Sequence, residues 1–181
     1  TKANMRVPTW FKVAVVAMGL GALPQAHSAP ITVDQENVAP TNSSGPGGLT
    51  NGQSFTPTLT AIDAAEFLLR SDGASSTLHL EVRQGQGLTG TLLGSSGQVT
   101  IGGALSEVHF DLLSTVSLLP GNLYTLVLAL DSGDSFAGDM STLNPYAGGL
   151  AINNSNSTFS ARDFWFREGT HEAQVPVPAT L

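Results

Sequence analysis

Residues 77–83 read Thr-Leu-His-Leu-Glu-Val-Arg, an unbroken alternation of apolar and polar side chains. A period of two places the three aliphatic side chains on one face, which is the pattern of a half-buried β-strand. Residues 108–112 (VHFDL) alternate in the same way. In residues 124–130 (YTLVLAL) the intervening residues are only weakly polar or apolar, so we predict that this segment is a central strand.

The chain around these segments adds further short strand candidates, separated by turn sequences such as SDG, GSSG, PGN and DSGD. The candidates are residues 32–38, 54–56, 61–70, 90–95, 98–101 and 163–167. Residues 63–69 (DAAEFLL) have helical propensity, but their strand neighbours and short length favour a strand. About nine short strands at this spacing predict an all-β antiparallel sandwich, jelly-roll-like, over residues 29–170.

The composition excludes several classes of protein. The 181 residues contain no cysteine, which excludes a disulfide scaffold, a thiol nucleophile and cysteine-ligated metal sites. Fourteen acidic residues against seven basic ones give a formal net charge of −7. This sign disfavours nucleic acid or anionic lipid as the main partner, since both need a dense basic surface.

The N-terminal segment predicts export. Arg6 and Lys12 precede an apolar run of eleven residues, 13–23, and small residues follow before Pro30. These are the parts of a secretory signal peptide, with cleavage expected between Ser28 and Ala29. Eleven helical residues span only about 17 Å, too short for a bilayer core of about 30 Å.

Residues 1–28 are therefore predicted to be a signal peptide with a short polar start, and residues 1–4 are interpreted as an over-read before Met5. Removing this segment leaves four arginines, no lysine and all fourteen acidic residues, a charge near −10. Signal peptidase is then an expected partner, and the apolar run itself is expected to be helical.

The C-terminal residues 175–181 (VPVPATL) carry a second targeting pattern. They resemble the beginning of the PEP-CTERM sorting signal of exopolysaccharide-producing Gram-negative bacteria. That signal begins with a Val-Pro-Glu-Pro-like box, which is matched here by Val175, Pro176, Val177 and Pro178. Val177 stands where glutamate is commonest in the family. The resemblance implies processing by an exosortase and a spanning helix with a basic cluster beyond residue 181. Residues 171–181 are thus interpreted as a linker and a truncated sorting motif, the alternative being an ordinary extended proline-rich tail.

The body of the chain resembles a family of secreted jelly-roll domains (choice-of-anchor or galactose-binding-like) that are often joined to such tails. The residues that carry the resemblance are 52–57 (GQSFTP), 118–128 (LLPGNLYTLVL), 144–149 (NPYAGG) and 163–170 (DFWFREGT). The resemblance implies a fold and an extracellular compartment, and it transfers no catalytic residues. In the last segment, Phe164 and Phe166 are predicted to face one side, with Trp165 and Arg167 on the other.

Two aromatic side chains outside the predicted core suggest a carbohydrate site. Tyr146 and Trp165 are candidate stacking platforms, with Asn144 and Arg167 as hydrogen-bond donors to a sugar. The alternative is that Trp165 packs beneath a loop and Tyr146 closes a turn, as aromatic residues usually do.

A structural calcium ion is a further hypothesis. Asp131, Asp134 and Asp139 lie in or near one loop, and carboxylates are the ligands that Ca²⁺ prefers. The spacing matches no EF-hand, and a solvated acidic loop is the alternative. No other cofactor is expected.

Enzymatic activity is not expected from this sequence. The formal GxGxxG of Gly85, Gly87 and Gly90 precedes strand and turn sequence rather than a helix, so it is interpreted as a glycine-rich hairpin. There is no GxSxG motif, and His79, His109 and His171 are interpreted as surface residues.

These observations together predict an exported cell-surface or extracellular-matrix protein with a non-enzymatic structural or adhesive role. The alternative is a carbohydrate-binding module that uses Tyr146 and Trp165, with exopolysaccharide as the candidate partner.

Overall fold

In the computed structural model, residues 30–45 and 47–172 are described. The predicted signal peptide, with its cleavage site between Ser28 and Ala29, lies outside these residues. The predicted sorting motif of Val175, Pro176, Val177 and Pro178 lies outside them as well, so both remain predictions.

The described part of the chain forms thirteen strands and no helix. In chain order the strands are β1 (Ile31–Asn37), β2 (Ser43–Ser44), β3 (Thr50–Phe55), β4 (Ala61–Ser71), β5 (Ser75–Gln84), β6 (Leu92–Ser95), β7 (Val99–Gly102), β8 (Ser106–Ser117), β9 (Tyr124–Gly133), β10 (Phe136–Ser141), β11 (Ala151–Ile152), β12 (Asp163–Phe164) and β13 (Phe166–His171). Nothing helical in these two ranges has the length and hydropathy needed to cross a membrane.

The strands form two antiparallel sheets. The seven-stranded sheet has the order β1-β13-β4-β10-β12, with β8 paired to β4 and β2 paired to β10. The six-stranded sheet has the order β11-β3-β9-β5-β6, with β7 also paired to β5. The all-β antiparallel architecture predicted from the sequence is therefore confirmed, and β9 has the predicted central place between β3 and β5.

The core lies between the two sheets and takes the inward side chains of both. Leu78, Leu80 and Val82 are fully buried, as the alternation of residues 77–83 predicts. The seven-stranded sheet contributes aromatic side chains, among which the Phe67 ring lies 6.3 Å from Phe164 and 6.2 Å from Phe166. Burying side chains of this size contributes on the order of 2 kcal/mol each, so this interface is the main source of stability.

The strand count and several strand boundaries differ from the prediction. Thirteen strands replace about nine, because β2, β10 and β11 are missed and residues 163–167 divide into β12 and β13. Residues 61–70 are a strand, as interpreted, and Gly85, Gly87 and Gly90 lie in the connection between the paired strands β5 and β6. Gly85 and Gly87 have φ values of 79° and 121°, a conformation that favours glycine. The hairpin interpretation of the GxGxxG is confirmed.

Candidate functional site

A concave surface lies on the outer face of the six-stranded sheet. Its floor is formed by residues of three neighbouring strands that lie in register: Thr50 of β3 opposite Ala129 of β9, and Val127 of β9 opposite Glu81 of β5. Because these side chains alternate with the core residues, they point away from the interior. The small side chains of Thr50 and Ala129 leave room above the sheet.

Two loops form the walls of this surface, which we call the outer groove. Leu88 and Thr89 belong to the β5–β6 connection, and Asn154 and Asn156 belong to the segment after β11. The backbone N–H of Leu88 donates to Asn156 Oδ1 at 2.7 Å, which ties the two loops together. The groove has a volume of about 360 Å³.

The shape of the Asn154 loop depends on a neighbouring asparagine. The side chain of Asn153 accepts hydrogen bonds from the N–H groups of Ser155 and Ser157, both at 3.0 Å. Such side-chain-to-backbone bonds are the usual way in which asparagine stabilises a turn. Asn156 has a φ of 58°, a left-handed conformation that asparagine tolerates. The asparagine-rich sequence therefore places Asn154 and Asn156 at the groove.

The charged groups of the groove neutralise each other. Arg83 Nε lies 2.6 Å from Glu81 Oε2, and Arg83 Nη1 donates to the carbonyl of Gly90 at 2.8 Å. These contacts hold both side chains in one orientation, with further donors and acceptors of the pair available to a ligand. The groove is consequently polar and nearly neutral, although the chain as a whole is acidic.

The predicted aromatic platform is not formed. Tyr146 is only 8% exposed, and its ring packs edge-on against Phe166 at 5.2 Å, on the core side of the seven-stranded sheet. Trp165 lies on the opposite side of that sheet, where the Arg167 guanidinium stacks 4.9 Å from its ring centroid. The expectation that Tyr146 lies outside the core is therefore wrong, and Tyr146 and Trp165 do not face a common ligand.

The hydroxyl of Tyr146 has a structural role. It donates to Gln35 Oε1 and accepts from the N–H of Thr56, both at 3.1 Å. Burial raises the pKa of this tyrosine to about 12. The predicted donors Asn144 and Arg167 are also apart: Asn144 is exposed in its loop with a φ of 47°, whereas Arg167 forms ion pairs on the seven-stranded sheet.

The predicted calcium ligands do not converge. Asp131 contacts His79 Nδ1 at 2.9 Å, and Asp134 accepts from the N–H of Ala74 at 2.8 Å. Asp139 accepts from the hydroxyl of Thr41 at 2.9 Å. Since each carboxylate is bonded to a different partner, these three aspartates do not form the predicted site among the described residues.

One buried carboxyl group, that of Glu168, has a strongly raised pKa. Glu168 is fully buried, and neither of its carboxyl oxygens has a well-aligned hydrogen-bond partner among the described residues. Burial, together with the nearby Asp34, raises the pKa of Glu168 to about 9. For Asp34, burial alone would raise the pKa, but hydrogen bonds from Thr58 and Leu59 outweigh it and lower the pKa below its usual value. No ligand can reach Glu168, so we assign it to the interior rather than to a site.

A second cluster lies on the outer face of the seven-stranded sheet. His109, Asp111 and His171 each offer one ligand atom, and these atoms lie within 4.8 Å of one another. Within residues 30–45 and 47–172 this is the one such group of three histidine or acidic side chains.

No protein-family model matches this chain, and a search of curated proteins finds no match either.

The sequence contained a partial signal for the groove. Glu81 and Arg83 are the outward members of the strand at residues 77–83, and residues 153–157 (NNSNS) are rich in hydrogen-bonding side chains. The local sequence pattern does not indicate that β5, β9 and the segment after β11 lie side by side. The groove therefore depends on strand register, which only the fold supplies.

Proposed function

We propose that this chain is an exported surface or matrix protein with a non-enzymatic role, and that it binds a neutral glycan in the outer groove. The observation that carries the proposal is the groove itself, with Glu81, Arg83, Asn154 and Asn156 gathered above a floor of small side chains. Its volume of about 360 Å³ falls within the range of small-ligand pockets.

The chemistry of the groove is that of a polyol binder. The Arg83 guanidinium can donate to the hydroxyls of a sugar and the Glu81 carboxylate can accept from them, while the amide side chains of Asn154 and Asn156 can do both. Leu88, which is partly exposed, supplies apolar surface for the C–H groups of the ring, above the buried Val127 of the floor. Because Arg83 is already paired with Glu81, an anionic sugar would find no free positive charge there. A neutral glycan is the better match.

Export and matrix association rest on the two targeting patterns. The signal peptide of residues 1–28 and the PEP-CTERM-like motif of residues 175–178 support transfer to the envelope, where an exosortase would act. A jelly-roll arrangement of the two sheets is part of the same proposal. Exopolysaccharide is then the natural glycan partner, since it shares that compartment.

The test is binding of neutral oligosaccharides to an Asn154→Ala variant. Asn154 is exposed and lines the groove, so its loss removes hydrogen bonds to the sugar without disturbing the core. We expect affinity, measured by isothermal titration calorimetry, to fall about five- to tenfold, the effect of one or two hydrogen bonds.

The matched control is Asn122→Ala, an exposed asparagine in the turn before β9 and not among the groove residues. It is expected to bind like the wild type. If Trp165→Ala weakens binding and Asn154→Ala does not, the groove is wrong and the aromatic alternative on the other sheet is favoured.

A further inference from the structure

The cluster of His109, Asp111 and His171, which we call the His–Asp–His cluster, has the geometry of a metal site. The two histidine Nε2 atoms lie 2.9 Å from the same oxygen, Asp111 Oδ1. His109 and Asp111 are outward residues of β8, and His171 ends β13 on the far side of β4. Three donor atoms from two separate strands therefore lie within 4.8 Å of one another above the sheet.

The other nitrogen of each histidine is held by a carboxylate. His109 Nδ1 lies 3.1 Å from Glu66 Oε1, and His171 Nδ1 lies 3.0 Å from Asp63 Oδ1. An N–H at Nδ1 that donates to a carboxylate leaves the lone pair on Nε2, where a metal binds. This carboxylate–histidine arrangement is the usual outer shell of a protein metal site.

The supporting carboxylates are themselves fixed. Arg167 Nε forms an ion pair with Glu66 Oε2 at 2.9 Å, although not an aligned hydrogen bond, and Arg167 Nη2 donates to Glu107 at 2.9 Å. Asp63 Oδ1 also accepts the backbone N–H of His171 at 2.8 Å. The strand irregularity between Ile62 and Ala64 places Asp63 where it can make these contacts.

The arrangement calls for a positive charge between the three donor atoms. With Nδ1–H donating outward, the two Nε2 lone pairs and the Asp111 oxygen face one another and repel. Asp111 of the cluster and three carboxylates around it, those of Asp63, Glu66 and Glu107, face the single guanidinium of Arg167. The local excess of negative charge attracts a cation.

We propose that His109 Nε2, His171 Nε2 and Asp111 Oδ1 bind Zn²⁺. With bonds of roughly 2.0–2.1 Å in a tetrahedron, neighbouring ligand atoms lie roughly 3.3 Å apart. The present Nε2–Oδ1 distances of 2.9 Å need to widen only slightly. Imidazole nitrogen suits zinc far better than calcium or magnesium, which prefer oxygen. The Asp111 side chain is 60% exposed, which leaves the fourth position open to water.

The bound ion would join β8 to the end of β13 across β4. A ligand that binds only the folded state stabilises it, and this chain has no cysteine with which to form a disulfide. The site lies on the sheet opposite the outer groove, so it stands apart from the proposed glycan binding.

The experiment is titration of the full chain with ZnCl₂ after chelator treatment, using a purification tag free of histidine. Calorimetry is expected to show one Zn²⁺ per chain, with a rise in the melting temperature, and no comparable effect of CaCl₂. Asp111→Asn, which keeps the size of the side chain, is expected to weaken binding at least tenfold. Glu66→Gln, which alters only the outer shell, should weaken it by about ten- to a hundredfold.

His79→Ala is the matched control. His79 is also held by carboxylates, with Nδ1 2.9 Å from Asp131 and Nε2 3.6 Å from Glu81, but it has no second histidine beside it among the described residues. We expect the His79→Ala variant to bind Zn²⁺ with the stoichiometry and affinity of the wild type. Absence of zinc binding by the wild-type chain, or an equal loss in His79→Ala and Asp111→Asn, would overturn the proposal.

Discussion

Phe166 shows how a single residue fixes the surroundings of two others. Its ring faces the core, so its neighbour Trp165 must face outward, where Arg167 covers one side of the indole. The same ring offers an edge contact to Tyr146 and draws that side chain inward. The alternation of strand residues predicted the orientations of Phe166 and Trp165. It could not predict that a loop tyrosine would reach the core, because this contact joins distant parts of the chain.

Glu168 is the residue with the clearest consequence for stability. Its pKa of about 9 in the folded state lies far above the ordinary glutamate value. Between pH about 4.5 and 9 the unfolded chain releases this proton and the folded chain keeps it, so the free energy of unfolding falls as pH rises. Below pH about 4.5 the Glu168 carboxyl is protonated in both the folded and the unfolded chain, so it no longer makes the free energy of unfolding depend on pH.

Glu168→Gln removes this titration while keeping the shape of the side chain. At pH 8 we expect the variant to be more stable than the wild type, on the order of 2 kcal/mol in the free energy of unfolding. At pH 4.5 the two should be nearly equal. Urea unfolding at both pH values measures the difference, with the exposed Glu36→Gln in β1 as control. A gain at pH 4.5 as large as that at pH 8 would contradict the buried-proton account.

At the scale of elements, strict alternation predicted the strands well. Residues 77–83 and 108–112 lie inside β5 and β8, and the predicted centre of the six-stranded sheet is β9. The strand β10 was missed because its sequence, FAGDMS, contains small and polar residues that are buried for packing reasons. A Cβ on Gly138 would lie 2.8 Å from the Phe164 ring, so tertiary contact selects glycine there.

The segment before β11 depends on another close approach. Leu150 exchanges hydrogen bonds with Ser54, and a Cβ on Gly149 would overlap the backbone carbonyl of Ser54. We expect Gly149→Ala to destabilise the protein by about 1–3 kcal/mol, the usual cost of overpacking. Denaturant midpoints measure this effect.

Gly102→Ala in β7 is the control for that variant, since a Cβ there meets nothing within 4 Å. Its midpoint should stay close to that of the wild type. Equal midpoints for Gly149→Ala and the wild type would contradict this prediction, because they would show that the segment can move away from β3 without loss of stability.

At the scale of the molecule, the two sheets carry different chemistry on their outer faces. The six-stranded sheet presents the outer groove, with Glu81 paired to Arg83 beside exposed asparagines. The seven-stranded sheet presents the His–Asp–His cluster. The sequence predicted the sandwich that separates these faces, because periodicity is local. It did not predict either site, because each draws residues from strands that become neighbours only after folding.

Binding of a neutral glycan in the outer groove is tested most directly by NMR, with sugar binding mapped on the whole chain. Isotope-labelled protein would be titrated with neutral glucose, galactose and mannose oligosaccharides while the backbone amide shifts are followed. If the outer groove binds the sugar, we expect saturable shifts confined to Arg83, Leu88, Asn154, Asn156 and their neighbours. Shifts centred on Trp165 and Arg167, or no saturable shift with any of the three sugars, would contradict it.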